Sequence, residues 1–247
     1  EAAVLQDGAM NPGVKLTSKA AKDSPAWQVG HGSASDPDGS LGLSHAESPT
    51  MAAGKSCELS AGTLKAGALY FHMRFTGALT EETPSTLSVY NGKELLGVIG
   101  HGESAREGWA LNVSNDWHSV KLTFGGKSNT PRFVFTQGSG PDVHAEVSNF
   151  IYDDGKGVTV YDVFALSSDV DGGYVTGSGP YVKGASATLK ATARPGWVFK
   201  YWVTLADDET LVIWSTKAST SWKATSDLTV MAVFERIPYV AGLAEQA

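Results

Sequence analysis

The stretch GGYVTGSGPYVKGASATLKATARPGWVFKYW, residues 172–202, decides the fold of the second half of the chain. Within it, residues 187–191 alternate between apolar and polar side chains, which is the pattern of a β-strand with one buried face. Pro195-Gly196 is a turn signal, and the strand after it places Trp197 and Phe199 on one face. We therefore predict a β-rich module in which Trp197 is buried in the core.

The glycine spacing of this stretch, together with a later segment, carries a family resemblance. Residues 172–202 and the closing run DLTVMAVFE, residues 227–235, resemble the divergent internalin-type B-repeat, a small β-grasp-like module of bacterial secreted and surface proteins. The resemblance implies a B-repeat-like module over residues 158–240 and a protein that is secreted or displayed at the cell surface. The chain departs from the family pattern after Tyr201-Trp202, where it makes a longer excursion.

The composition restricts the class of protein. A chain of 247 residues is long enough for two domains, and periodic segments rich in Thr, Val and aromatic residues favour an all-β fold. The net charge of −7 argues against a nucleic-acid partner, which requires a basic surface. Because no apolar run approaches the ~20 residues of a membrane span, we expect no membrane insertion. No signal-peptide pattern follows Glu1, so we expect that any secretion signal was removed or lies outside this sequence. The single Cys57 cannot form an internal disulfide.

The first half of the chain consists of short alternating runs. In residues 67–75 the leucine, phenylalanine and methionine side chains share one face, and Tyr70, His72 and Arg74 share the other. The next run ends at Asn91-Gly92, a hairpin signal because both residues tolerate a positive φ. No segment shows a helical period, and many short strands at regular spacing predict a β-sandwich or jelly roll.

Four segments of this half carry a second resemblance, to the jelly-roll modules with which bacterial extracellular proteins bind carbohydrate or adhere to surfaces. The segments are GALYF (67–71), LSVYNG (87–92), WHSV (117–120) and VSNF (147–150). The last departs from the family pattern, because Ser148 replaces the usual aspartate. The two resemblances imply a jelly-roll β-sandwich over residues 1–154, the B-repeat-like module at 158–240 and a loose tail at 241–247. The polar, glycine-rich run DDGKG predicts the boundary at residues 154–158.

A polar loop with one aromatic residue is the strongest ligand candidate in the sequence. His101 and Arg106 could hydrogen-bond hydroxyl groups while Trp109, and Tyr90 on a nearby strand, offer apolar ring faces. The alternative is that Trp109 turns inward, because alternation places it on one face with the apolar residues of 109–113.

Metal binding has one candidate in the sequence. Asp36 and Asp38 flank a sharp turn and are candidate ligands of a structural calcium ion, the alternative being an Asx-type turn without an ion. We expect no other cofactor. None of the histidines has a partner at zinc-ligand spacing, so we predict that none of them coordinates a metal ion. They are His31, His45, His72, His101, His118 and His144.

The sequence contains no recognisable catalytic motif. Ser104 is the nearest approach to a nucleophile elbow, but its segment lacks the second glycine and the surrounding strand–turn–helix. We therefore predict a non-catalytic binding, adhesion or spacer region that acts as a monomer within a larger chain and contacts a glycan or a surface protein. One alternative is a carbohydrate-binding module attached to a larger extracellular enzyme, and the other is an enzyme whose site the sequence does not reveal.

Overall fold

The computed structural model describes residues 3–5, 14, 16–22, 24–31, 44–77, 83–101, 110–113, 115, 117–140, 142–206 and 209–238. All the regular secondary structure of these described residues consists of β-strands, which confirms the predicted all-β class. The described part of the chain accordingly has no helix long and apolar enough to cross a membrane.

Of the strands in the described part of the chain, twelve belong to the first domain and eight to the second. The first domain contains β1 (Ala3–Leu5), β2 (Leu16–Ser18), β3 (Gln28–His31), β4 (Ser44–Glu47), β5 (Ser56–Ser60), β6 (Gly67–Thr76), β7 (Thr86–Asn91), β8 (Glu94–His101), β9 (Leu111–Val113), β10 (His118–Phe124), β11 (Pro131–Thr136) and β12 (His144–Asp153). The second contains β13 (Val160–Ser167), β14 (Gly173–Thr176), β15 (Gly179–Val182), β16 (Ser186–Ala193), β17 (Trp197–Leu205), β18 (Leu211–Ser215), β19 (Ser219–Lys223) and β20 (Leu228–Arg236).

The first domain is a jelly-roll sandwich of two sheets. A seven-stranded sheet has the order β1-β2-β5-β11-β7-β8-β9, and a five-stranded sheet has the order β10-β6-β12-β4-β3. The antiparallel pairs β4–β12, β5–β11, β6–β10 and β7–β8 are nested, as in a long hairpin wrapped into two sheets. The wrapping brings residues from distant parts of the sequence together on the five-stranded sheet.

Strand β6 shows why these residues form a sandwich. Its core face carries Leu69, Phe71, Met73 and Phe75, all at most 2 % exposed. The Phe71 ring packs edge-on against Phe133 at a centroid distance of 5.1 Å, which joins the two sheets across the core. The predicted alternation is confirmed, and the other face of β6 points away from the sandwich core.

The β7–β8 hairpin turns one residue later than predicted. Asn91 pairs with Glu94, so the two turn residues are Gly92 and Lys93, and Gly92 supplies the positive φ of 60°. Asn91 remains in the strand because its side-chain oxygen accepts a 2.9 Å hydrogen bond from the Thr130 amide.

The second domain packs a five-stranded sheet against a three-stranded one. The orders are β15-β13-β20-β17-β18 and β14-β16-β19, and the first and last strands of the domain, β13 and β20, pair in parallel. Its core is separate from that of the jelly roll and is centred on the fully buried Trp202 and Tyr181. Gly173 must be glycine, because a Cβ there would lie 2.4 Å from the Phe234 ring.

The prediction that Trp197 is buried was wrong, and Trp202 takes the central place. A bulge in β17 lies between Phe199, which pairs with Phe234, and Tyr201, which pairs with Val233. The extra residue reverses the faces of the strand, so that Trp202 points into the core. Trp197, at the end of β17, is half-buried with the Arg236 guanidinium carbon 5.6 Å from its ring centroid.

A short turn joins the two domains. The Asp153 carboxylate accepts hydrogen bonds from the amides of Gly155 and Gly157, at 2.8 and 3.2 Å. The predicted boundary at 154–158 lies within this turn, between β12 and β13, and the Lys156 side chain is 85 % exposed there.

We expect Trp202→Ala to destabilise the second domain by about 3–5 kcal/mol, because deleting a buried aromatic side chain leaves a cavity. The indole also loses its 3.1 Å hydrogen bond to the Lys217 carbonyl oxygen. Denaturant unfolding of the full chain measures the loss, with Trp197→Ala as the matched control. A loss for Trp197→Ala equal to or larger than that for Trp202→Ala would contradict the assignment.

We expect trypsin to cut early after Lys156, because this side chain is solvent-exposed in the turn between two separate cores. Limited digestion followed by mass spectrometry should yield a fragment that begins at Gly157. Lys156→Gln should abolish that fragment and leave the other early cuts unchanged. A first cut inside the jelly roll with an intact turn would place the boundary elsewhere.

Candidate functional site

The outer face of the five-stranded jelly-roll sheet carries most of the chemistry of the described residues. On β6 this face presents Tyr70, His72 and Arg74. Across the strand pair they face Ile151, Ser148 and Glu146 of β12, respectively. The face therefore runs from an apolar end at Tyr70 to a charged end at Arg74.

A buried ion pair dominates the charged end. Arg74 Nε donates to Glu146 Oε2 at 2.6 Å, and both side chains are at least nine-tenths buried. The guanidinium carbon of Arg74 lies 4.6 Å from the Trp117 ring centroid. Because the pair is withdrawn from water, each charge depends on the other and on its hydrogen bonds.

Three further residues converge beside Glu146 and form the carboxylate–histidine cluster with it: His45, Glu47 and His144. Glu47 pairs directly with Glu146 across the β4–β12 ladder. His45 Nε2 lies 3.5 Å from a carboxylate oxygen of each glutamate, and His144 Nδ1 lies 3.7 Å from Glu47 Oε1. The neighbouring His45 ring lowers the pKa of the Glu47 carboxyl, so Glu47 is an anion at neutral pH. Of the described residues, this cluster has the arrangement that could hold a metal ion.

Sequence reasoning missed this cluster because its members are about a hundred positions apart. One signal was available: the tripeptide His-Ala-Glu occurs at residues 45–47 and again at 144–146. In a strand each copy places its histidine and glutamate on one face. Antiparallel pairing then sets the two copies side by side on the sheet.

A bulge in β12 shapes the middle of the face. Asn149 is the extra residue between Ser148 and Ile151, and it adopts a positive φ of 56°. Its side-chain nitrogen lies 3.1 Å from Nδ1 of His72. Burial lowers the pKa of His72, and the neutral ring with its proton on Nε2 accepts this hydrogen bond.

The apolar end of the face forms one wall of the interdomain cleft, a space of about 680 Å³ between the jelly roll and the second domain. Tyr70 is 39 % exposed on the jelly-roll side, and Phe164 of β13 is 46 % exposed on the opposite side. The Lys121 ammonium lies 5.5 Å from the Tyr70 ring centroid. His72, Ser119, Asn149, Asp153, Asp162 and Ser178 supply polar groups to the lining. A volume of this size with apolar walls and few polar groups is typical of a small-molecule site.

His101 and Tyr90, the predicted ligand contacts that the structure describes, do not lie in this cleft. His101 is 1 % exposed at the end of β8, where its Nε2 accepts a 3.0 Å hydrogen bond from the Ser85 amide. Tyr90 lies near the other end of the β7–β8 hairpin, half-buried, with the Arg132 guanidinium carbon 5.1 Å from its ring centroid. The structure therefore separates His101 from Tyr90.

Four other predicted site residues lie outside the described residues. They are Arg106 and Trp109 of the ligand loop and Asp36 and Asp38 of the calcium turn. Their assignments stay predictions.

A family comparison supports the reading of the second domain. Residues 166–238 match the family model described as the divergent InlB B-repeat domain, which confirms the resemblance drawn from the sequence. The match covers most of the second domain and none of the jelly roll. No curated protein matches the chain.

Solved structures give distant fold likenesses. The secreted serine protease VesC from Vibrio cholerae is 19 % identical over 58 % of this chain, with a TM-score of 0.40, and the chain spans only 25 % of VesC. Two point mutants of a family 29 carbohydrate-binding module are each 14 % identical over 63 % of this chain, with TM-scores of 0.33. The likeness covers 93 % and 92 % of those two modules.

We expect His72 to make the fold less stable in acid. Its folded-state pKa is lowered from 6.5, so below that pH the unfolded chain takes up a proton that the folded chain does not. The stability contributed by neutral His72 is complete above pH 6.5 and is lost as the pH falls towards the folded-state value. The test is to measure the unfolding free energies of the wild type and of His72→Gln from above to below pH 6.5. As the pH falls, the wild type should lose more unfolding free energy than the variant. Parallel pH curves would contradict this assignment.

Proposed function

We propose that this chain is a non-catalytic binding region of an extracellular bacterial protein, and that the interdomain cleft takes a glycan. The observation that carries the proposal is the pair of exposed aromatic rings, Tyr70 and Phe164, on the two walls of one cleft. The B-repeat match supports an extracellular or surface location.

The chemistry of the cleft suits a sugar ring. A pyranose has an apolar C–H face, which packs on an aromatic ring, and a rim of hydroxyl groups, which need hydrogen-bond partners. Tyr70 and Phe164 offer the rings, while Asn149, Ser119 and Asp162 offer polar groups of both kinds. These groups suit a neutral glycan better than an anionic ligand, because the carboxylates of Asp153 and Asp162, which both line the cleft, would repel an anion.

Hydrogen bonding within the cleft supports a binding role over a catalytic one. His72 engages Asn149 through Nδ1, and Asp153 accepts hydrogen bonds from the Gly155 and Gly157 amides. A general base needs a free lone pair aimed at the reacting group. Turnover of glycosides or peptides by the purified chain would contradict the non-catalytic proposal.

The test is a glycan array probed with the full chain, followed by calorimetry on the best hit. Tyr70→Ala and Phe164→Ala should each weaken binding by about tenfold or more, because each removes one aromatic wall. Tyr90→Ala is the matched control, since it removes a half-buried aromatic ring from the other sheet, away from the cleft.

The outcomes of this test separate the two candidate sites. Loss of binding with Trp109→Ala, and none with Tyr70→Ala, would move the site to the loop at 101–109. No hit on a broad array would contradict the glycan proposal and leave protein surfaces as the partner class.

A further inference from the structure

We infer that the carboxylate–histidine cluster is a binding site for a divalent transition metal of the zinc type, with His45, Glu47 and Glu146 as its ligands. The inference is independent of the glycan proposal, because the cluster lies at the charged end of the outer face and the interdomain cleft lies at the other.

The spacing of the three ligand atoms fits a small cation. His45 Nε2 lies 3.5 Å from Glu47 Oε2 and 3.5 Å from Glu146 Oε1, and the group is contained within 4.8 Å. Two ligands bound tetrahedrally to zinc at ~2.0–2.1 Å are about 3.3 Å apart. The two distances from His45 Nε2 therefore need to change by only a few tenths of an ångström, whereas the two carboxylate oxygens, at most 4.8 Å apart, would have to approach each other by up to about 1.5 Å.

The environment of the His45 side chain is the observation that points to a bound metal ion. Its side chain is about 4 % exposed, and its Nε2 makes no hydrogen bond of normal geometry among the described residues, although a carboxylate oxygen of Glu47 and one of Glu146 each lie 3.5 Å away. A buried polar nitrogen without a partner is costly, so native proteins rarely leave one. A Cβ on Gly30 would lie 2.2 Å from this nitrogen, so the Gly30 backbone closes one side, and the two carboxylates lie within reach.

The charges of the cluster also favour a cation. Glu47 and Glu146 face each other directly across the strand pair, an arrangement that is destabilising for like charges. Arg74 neutralises one of them, and it does so through Oε2 of Glu146, which leaves Oε1 towards His45. An outer partner that orients a ligand in this way is a regular feature of metal sites.

The donor set selects the class of metal. An imidazole nitrogen with two carboxylate oxygens suits zinc and its neighbours, whereas calcium requires six or more oxygen ligands. His144 lies beside Glu47, and its Nδ1 is 2.7 Å from the Ser48 carbonyl oxygen, which holds the ring in place. Three protein ligands leave a fourth position open to water or to a ligand group.

The test is zinc binding by the untagged full chain after treatment with a chelator. Calorimetry and metal analysis after dialysis should show one zinc ion per chain, and added Zn²⁺ should raise the melting temperature. Ca²⁺ should do neither at the same concentration.

The main variant is Glu47→Gln, because this side chain is 36 % exposed and its replacement is compatible with folding. It should weaken zinc binding at least tenfold, and His45→Gln should do the same. Gly30→Ala, which crowds His45 Nε2, is a third variant that keeps every ligand. Glu58→Gln is the control, since this 46 % exposed carboxylate pairs with Arg132 on the other sheet and should leave zinc binding unchanged.

Two outcomes would overturn the inference. One is zinc binding of the wild type that is no tighter than that of a correctly folded Glu47→Gln. The other is a melting temperature that does not respond to Zn²⁺ but rises in mild acid only when His45 is present. The second result would mean that a proton on His45, and not a metal ion, bridges the two carboxylates.

Discussion

Strand β6 must satisfy two environments at once, because successive side chains of a strand point to opposite sides of the sheet. Its core face is fixed by packing, with Phe71 stacked on Phe150 at 5.2 Å and at an interplanar angle of 12°. The same geometry obliges Tyr70, His72 and Arg74 to line up on the outer face at two-residue intervals. Tyr70 at one end of that row lines the cleft, and Arg74 at the other end binds Glu146 of the carboxylate–histidine cluster. Burying the core residues thus determines where the chemistry of this domain can be placed.

Departures from strict alternation supply the features that a regular sheet lacks. In β12 the extra residue Asn149 leaves Phe150 in the core while bringing an amide to His72. In β17 the extra residue before Tyr201 lets Trp202 fill the second core. Each bulge interrupts one ladder locally and keeps the rest of its strand paired. The two domains use the same device, one to shape a site and the other to close a core.

The sequence predicted the fold more completely than the site, for a physical reason. Alternation is local, so the faces of β6 and the all-β class could be predicted from neighbouring residues. A bulge leaves no reliable local signal, which is why the inward orientation of Trp202 was not predicted. The cluster and the cleft depend on strand pairing across about a hundred residues, and no spacing rule along the chain describes that pairing.

The interdomain cleft has a mechanical consequence. Its walls belong to two separate cores, which are joined in sequence by the turn at residues 154–159 and touch through β12 and β15, so their separation depends on how the domains are held. Tension applied along the polypeptide would act to pull the Tyr70 wall from the Phe164 wall. A ligand that touches both walls would resist that opening, and its residence time would shorten as the tension rises. Under the proposed function, binding in the cleft and force on the chain would therefore be coupled.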